Sequence, residues 1–245
     1  MTPPPWAQRT LTVLLAPVLL AQGRHTRAVT PRLPEPEGAR AGLAGRGAPM
    51  RLLIAGDSAA AGVGVPHQQE ALSGQLVSEL APHYALHWKL VAQTGYTTAD
   101  LLRRLAREPA QTFDAVALSL GVNDVTGALR TQTWLAQQRE LLSLLRQRFA
   151  AQHVVFTCVP PMHHFTALPQ PLRQMLGWRA QRFNEALDRA LQGWPEAHQG
   201  CELLHMTAPT SPDALARDGF HPGRATYRLW AHALAQRLKV RFPSG

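Results

Sequence analysis

From residue 50 onward, short apolar runs alternate with longer segments whose apolar positions recur every three or four residues. The run 50–55 stops at Gly56-Asp57-Ser58, which predicts a buried strand emerging into a loop. Further strands are predicted over 84–92, 115–120, 154–159 and 202–206, with 115–120 leading into Gly121-Val122-Asn123-Asp124 and 154–159 stopping at Pro160-Pro161. Helical periodicity occupies 69–80, 99–107, 133–149, 172–191 and 223–240. Five short strands separated by helices imply a mainly parallel sheet covered on both faces, a three-layer α/β/α sandwich. Active sites in such sheets gather at the carboxyl ends of the strands.

Ahead of residue 50 the pattern changes. Residues 10–23 are uncharged, with a dense apolar core at 11–21, and lie between Arg9 and Arg24. That is shorter than the roughly 20 residues a membrane span needs. It matches the length of a signal-peptide apolar region, and Ala21-Gln22-Gly23 offers a small-x-small site. Residues 1–23 thus read as a signal or interfacial anchor, with a helix packed on the domain as the alternative. Export or membrane association through 10–23 is the corresponding localisation, with a cytoplasmic location as the other reading. Residues 24–49 are rich in Pro, Gly and Arg without apolar periodicity and predict a linker or surface belt. The main folded domain is expected over 50–241.

Composition narrows the function class. The 245 residues, 45% hydrophobic, suit one domain with a sizeable core. The net charge of +9 raises nucleic acid as a partner, yet six arginines (24, 27, 32, 40, 46 and 51) crowd residues 24–51 and the others scatter over helices. No nucleic-acid partner is therefore expected, and a basic protein binding nucleic acid or anionic lipid stands as the non-enzyme alternative. Cys158 and Cys201 have no zinc-ligand spacing and read as buried free thiols, a disulfide being the alternative. The adjacent His163 and His164 point to opposite sides of an extended chain and have no third ligand nearby, so no metal is expected.

Ser58 needs a base to become nucleophilic, because an unassisted hydroxyl is protonated at neutral pH. His221, in Asp218-Gly219-Phe220-His221, is the candidate, with Asp218 fixing its tautomer. Donors for an oxyanion are the Asn123 side-chain amide, the Gly95 backbone N–H in Thr94-Gly95-Tyr96, and the amide of Ser58 itself. Asp57 and Asp124, each beside one of these residues, read as loop-holding groups. His163, His164 and Phe165 are candidates for lining the substrate pocket. Trp88, Trp134, Trp178 and Trp230, on predicted elements, and Trp194, just beyond one, read as packing.

Gly56-Asp57-Ser58, Gly95, Gly121-x-Asn123-Asp124 and Asp218-x-x-His221 resemble, in order, the four blocks of the SGNH (GDSL) hydrolase family. Ala59 stands where the family name has leucine, at a position without a chemical role. The resemblance spans about 50–240 and implies a flavodoxin-like fold with a five-stranded parallel sheet. It also implies Ser58, Gly95, Asn123 and His221 as the four named residues, with Asp218 completing the triad, and no cofactor. The implied activity is hydrolysis of a small-molecule or lipid ester by an esterase or lipase, with carbohydrate O-acetylesterase or thioesterase as alternatives.

Overall fold

The computed structural model describes residues 4–198, 200–206 and 211–243. Two N-terminal helices, α1 (Pro5–Leu14) and α2 (Ala16–Val29), precede a short strand β1 (Ala41–Ala44) and then β2 (Ala48–Gly56). The chain continues through α3 (Ser58–Ala61), α4 (Leu72–Leu80), β3 (Tyr84–Ala92), α5 (Thr98–Ala106), β4 (Ala115–Ser119), α6 (Val122–Thr126) and α7 (Thr131–Phe149). It ends with β5 (His153–Thr157), α8 (Leu172–Gly193), β6 (Cys201–Leu204) and α9 (Arg224–Arg241).

The sheet order is β1-β3-β2-β4-β5-β6. β2 to β6 are mutually parallel, and β1 pairs antiparallel with β3. Because successive strand residues face opposite sides, Leu53, Val116, Leu118, Val154 and Phe156 pack on one face against α5, α7 and α8. Leu52, Ile54, Ala117 and Val155 pack on the other against α4 and α9. The sequence of α5 shows why the helices lie so. Leu101, Leu102 and Leu105 are buried at helical spacing, Arg103 and Arg104 stay outside, and Thr97 and Asp100 close a capping box at its start.

The five predicted strands form the parallel sheet, and a sixth joins it. Ala41–Ala44 lies in the segment read as linker. It has no buried apolar face, with Leu43 82% exposed, and is held by backbone pairing to β3. Periodicity does not reveal a strand that buries so little apolar surface. The 24–49 segment is thus helix at its start and sheet near its end. The N-terminal segment forms two helices, and α2 rests on the body of the protein through Gln22. Its amide donates to the Gln170 carbonyl (2.6 Å) and accepts from the Leu172 N–H (3.2 Å). Among the described residues no helix is long and apolar enough to cross a membrane.

Both cysteines are free thiols. Cys201 opens β6 opposite Val154, four residues before Cys158 on the neighbouring strand. At ~3.3 Å per residue this offset exceeds the ~7 Å Cα separation that a disulfide tolerates.

Candidate active site

β2 places Ser58 at the carboxyl end of the sheet, in the first turn of α3. The preceding Asp57 caps this turn, its carboxylate accepting from the Ala59 N–H at 3.0 Å, while its own N–H donates to the Ser119 carbonyl at the end of β4 (3.0 Å). The loop is therefore pinned to the neighbouring strand. Asp57 is 2% exposed, and burial pushes its carboxyl up to about 7, against the lowering effects of the Ala59 N–H and the nearby His221.

His221 lies in the loop that precedes α9. Asp218 organises this loop, with one oxygen accepting from the backbone N–H groups of Phe220 and His221 (both 3.0 Å) and the other from His221 Nδ1 (2.6 Å). Burial raises the Asp218 carboxyl, but these hydrogen bonds outweigh it and hold the group below its ordinary value. An ionised Asp218 accepting at Nδ1 leaves Nε2 as the acceptor. His221 Nε2 is 3.1 Å from Ser58 Oγ. The three side chains form one continuous relay from a fully buried carboxylate to a hydroxyl at the mouth of a cleft.

Asn123 is in α6, at the end of β4. Its side-chain amide donates one N–H to the Tyr96 carbonyl (2.9 Å), leaving the second N–H for another acceptor. Gly95 precedes Tyr96 and has φ +87°, with nothing within 4 Å of a Cβ built on it. Glycine is required here by backbone conformation, beside open space. The backbone N–H groups of Ser58 and Gly95 have no partner among the described residues. Asp124 is 1% exposed and accepts from the N–H and the hydroxyl of Thr98, joining α6 to the start of α5; burial raises its carboxyl.

A cavity of about 440 Å³ opens beside Ser58 and His221. It is walled largely by apolar groups, among them Leu120, Phe165, Leu215, Phe220 and Trp230. Of the three residues expected to line a pocket, His164 and Phe165 do so. His163 turns away and packs on Gly177 of α8. Gly95 and Asn123 stand outside this cavity's lining. Sequence reasoning missed Cys158, Met206 and Trp230 as lining residues. Helical spacing marks Trp230 as core, which it also is, at 5% exposure, with its indole N–H donated to Thr157 (3.1 Å). Burial pushes the Cys158 thiol up to about 12, so it contributes surface rather than a thiolate.

The model of the GDSL-like lipase/acylhydrolase family matches residues 54–229, from the second half of β2 into α9. The chain belongs to this family. A GDSL-like esterase of Mycobacterium tuberculosis is 27% identical over 91% of this chain and 76% of its own length. Among solved structures, a carbohydrate esterase family 2 enzyme of Corynascus thermopiles (Myceliophthora fergusii) superposes with a TM-score of 0.61 at 16% identity, covering 86% of this chain and 68% of that one. The esterase EstA of Pseudoalteromonas gives 0.55 at 17% identity, covering 78% and 97%. As a member of the GDSL-like family the protein is a carboxylic ester hydrolase, on the α/β fold that these structures share.

Proposed function

We propose that the protein is a serine esterase that cleaves short- to medium-chain carboxylic esters through an acyl-enzyme on Ser58. The observation that carries this reading is the 3.1 Å approach of His221 Nε2 to Ser58 Oγ at the mouth of an apolar cavity. His221 takes the hydroxyl proton as Ser58 Oγ bonds to the carbonyl carbon. The oxyanion that forms is met by the N–H groups of Ser58 and Gly95 and the amide of Asn123. Its collapse expels the alcohol, which receives the proton from His221. Water, deprotonated by His221, then attacks the acyl-enzyme, releasing the acid and restoring Ser58. Asp218 holds the ring and stabilises its cationic form throughout.

The cavity gives the acyl chain a direction. Its lining includes Ser119 and Leu120 at the end of β4, Thr157 and Cys158 at the end of β5, and Met206 beyond β6. From β2 to β6 are three strand spacings, or ~14 Å at about 4.8 Å each. An extended acyl chain from Ser58 fits along this row towards Met206 and Trp230. The apolar walls favour a hydrocarbon chain over a sugar, although several structural neighbours are carbohydrate esterases. Exposed Trp6, Val13, Leu14 and Leu20 on α1 and α2, followed by Arg24 and Arg27, support export or membrane association of this end.

Hydrolysis of p-nitrophenyl esters of graded chain length by the wild type, Ser58→Ala and His221→Ala tests the reading. Turnover with one chain-length maximum, lost by about 10⁴-fold or more in both variants, is expected. Turnover that survives Ser58→Ala would overturn it.

A further inference from the structure

Residues 35–40, in the segment whose sequence looks like a linker, touch both the loop that carries Gly95 and the turn that carries Ser58. Glu35 Oε1 accepts from the backbone N–H of Thr94 (2.6 Å) and from its hydroxyl (2.8 Å). Arg40 holds the other Glu35 oxygen at 2.8 Å and donates also to the Ala92 carbonyl at the end of β3. The Arg40 carbonyl in turn accepts from the Leu90 N–H (2.7 Å). On the side of Ser58, Pro36 packs against Gly62, the residue that ends α3, so closely that a Cβ there would lie 2.8 Å from its ring. Glu37 exchanges backbone bonds with the following loop, donating to the Pro66 carbonyl (3.3 Å) and accepting from the Gln68 N–H (2.8 Å).

Gly95 sits between two anchors. Thr94 on one side is held by Glu35, and Tyr96 on the other is held by Asn123 through its carbonyl. The turn is also closed by the Tyr96 N–H, which donates to the Gln93 carbonyl (3.2 Å), while the Gly95 N–H itself has no partner among the described residues and nothing packs where a Cβ would stand. A donor in open space aims an oxyanion only if the peptides on both sides are fixed.

We propose that residues 35–40 are a clamp that positions the Gly95 N–H for the oxyanion, with Glu35 as its positioning residue. The inference rests on the acyl-enzyme reading above. Glu35 touches no reacting atom and acts through Thr94. Its loss leaves Thr94 held only through the turn bond from Tyr96 to Gln93, so that the Thr94 peptide can tilt, and with it the N–H of the next residue. Burial raises the Glu35 carboxyl, but the bonds from Thr94 and Arg40 outweigh it, so the clamp stays ionised at neutral pH.

The test is steady-state kinetics of the full chain on its best p-nitrophenyl ester, with phosphorylation of Ser58 by diethyl p-nitrophenyl phosphate, which releases p-nitrophenolate, as a second readout. Glu35→Ala is expected to lower kcat by about tenfold to a hundredfold, with KM within about threefold. Phosphorylation, in which the phosphoryl oxygen occupies the same hole, should slow in proportion. Glu35→Gln, which keeps an oxygen for Thr94, should recover part of the loss. A kcat per folded molecule within twofold of wild type in Glu35→Ala overturns the clamp. Should Glu35→Ala not fold, Glu35→Gln and Arg40→Ala decide: reduced kcat at unchanged KM in both supports the clamp, and unchanged kcat in both overturns it. Ser58→Ala, run alongside, reports separately on the acyl-enzyme reading, because turnover surviving there fails that reading whatever Glu35 does.

Discussion

His221 Nε2 stands 3.1 Å from Ser58 Oγ across 163 residues of chain. Two features bring them together. Ser58 follows the central strand β2, and α9, whose preceding loop carries His221, packs under the same sheet face beside α4. The buried Tyr227 hydroxyl of α9 donates to the Val63 carbonyl just beyond α3 (2.7 Å), so the two loops are also tied beneath the site. The histidine is thus positioned from both sides, by Asp218 within its own loop and by α9 below it.

Asp218→Asn keeps the shape of the side chain but removes the charge that selects the Nδ1–H tautomer. A fall in kcat of roughly 10³–10⁴-fold is expected, read by ester hydrolysis at neutral pH. In the wild type the folded carboxyl lies below its unfolded value of 3.8, so the stability it contributes is present above that value and is lost as pH falls through the folded one. Acid unfolding followed by circular dichroism should therefore set in at higher pH in Asp218→Asn.

Asn123→Ala removes a candidate oxyanion donor and also the bond that holds Tyr96. A loss of about 10²–10³ in kcat with little change in KM is expected. A variant that raises KM alone would show Asn123 to bind substrate without stabilising the transition state.

Asp57 runs opposite to Asp218. Its folded carboxyl is pushed up to about 7 from 3.8, so between these values the native state binds a proton that the unfolded state does not. Stability from this group is full below 3.8 and falls as pH rises towards 7, with a slope of up to about 1.4 kcal/mol per pH unit. Asp57→Asn preserves the capping oxygen and should flatten that slope. Thermal melts of both proteins from pH 4 to 8 check it, and parallel curves would refute it.

Trp230→Ala should open the far end of the cavity and move the chain-length optimum to longer acyl groups. Loss of the buried indole is expected to cost about 3–5 kcal/mol of stability, so Trp230→Phe, with a smaller shift in the same direction, accompanies it. An unchanged chain-length profile in both variants would place the acyl chain elsewhere.

Much of this was legible in the chain. The strand over 84–92 coincides with β3, and the others agree to within a few residues, because each buries enough apolar surface to mark itself by composition. β1 and the supporting role of Glu35 were not legible, since an exposed edge strand and a lone carboxylate in a Pro/Gly-rich stretch carry no periodic signal. The turning away of His163 was equally hidden. Which of two adjacent side chains faces the cleft depends on the 3₁₀ turn at Met162–His164 and on Gly177 of α8, which leaves room for the imidazole.

The sequence by itself determined the order of elements, the layered architecture and the residue types of the site, because apolar periodicity and short polar blocks are local properties of a chain. Only the tertiary structure decided that Asn123 anchors Tyr96, that the cavity runs towards Met206 and Trp230, and that the N-terminal belt holds Thr94. Each of these is a contact between segments far apart in the chain, and such contacts are selected by the packing of the whole sheet and its helices rather than by any local pattern.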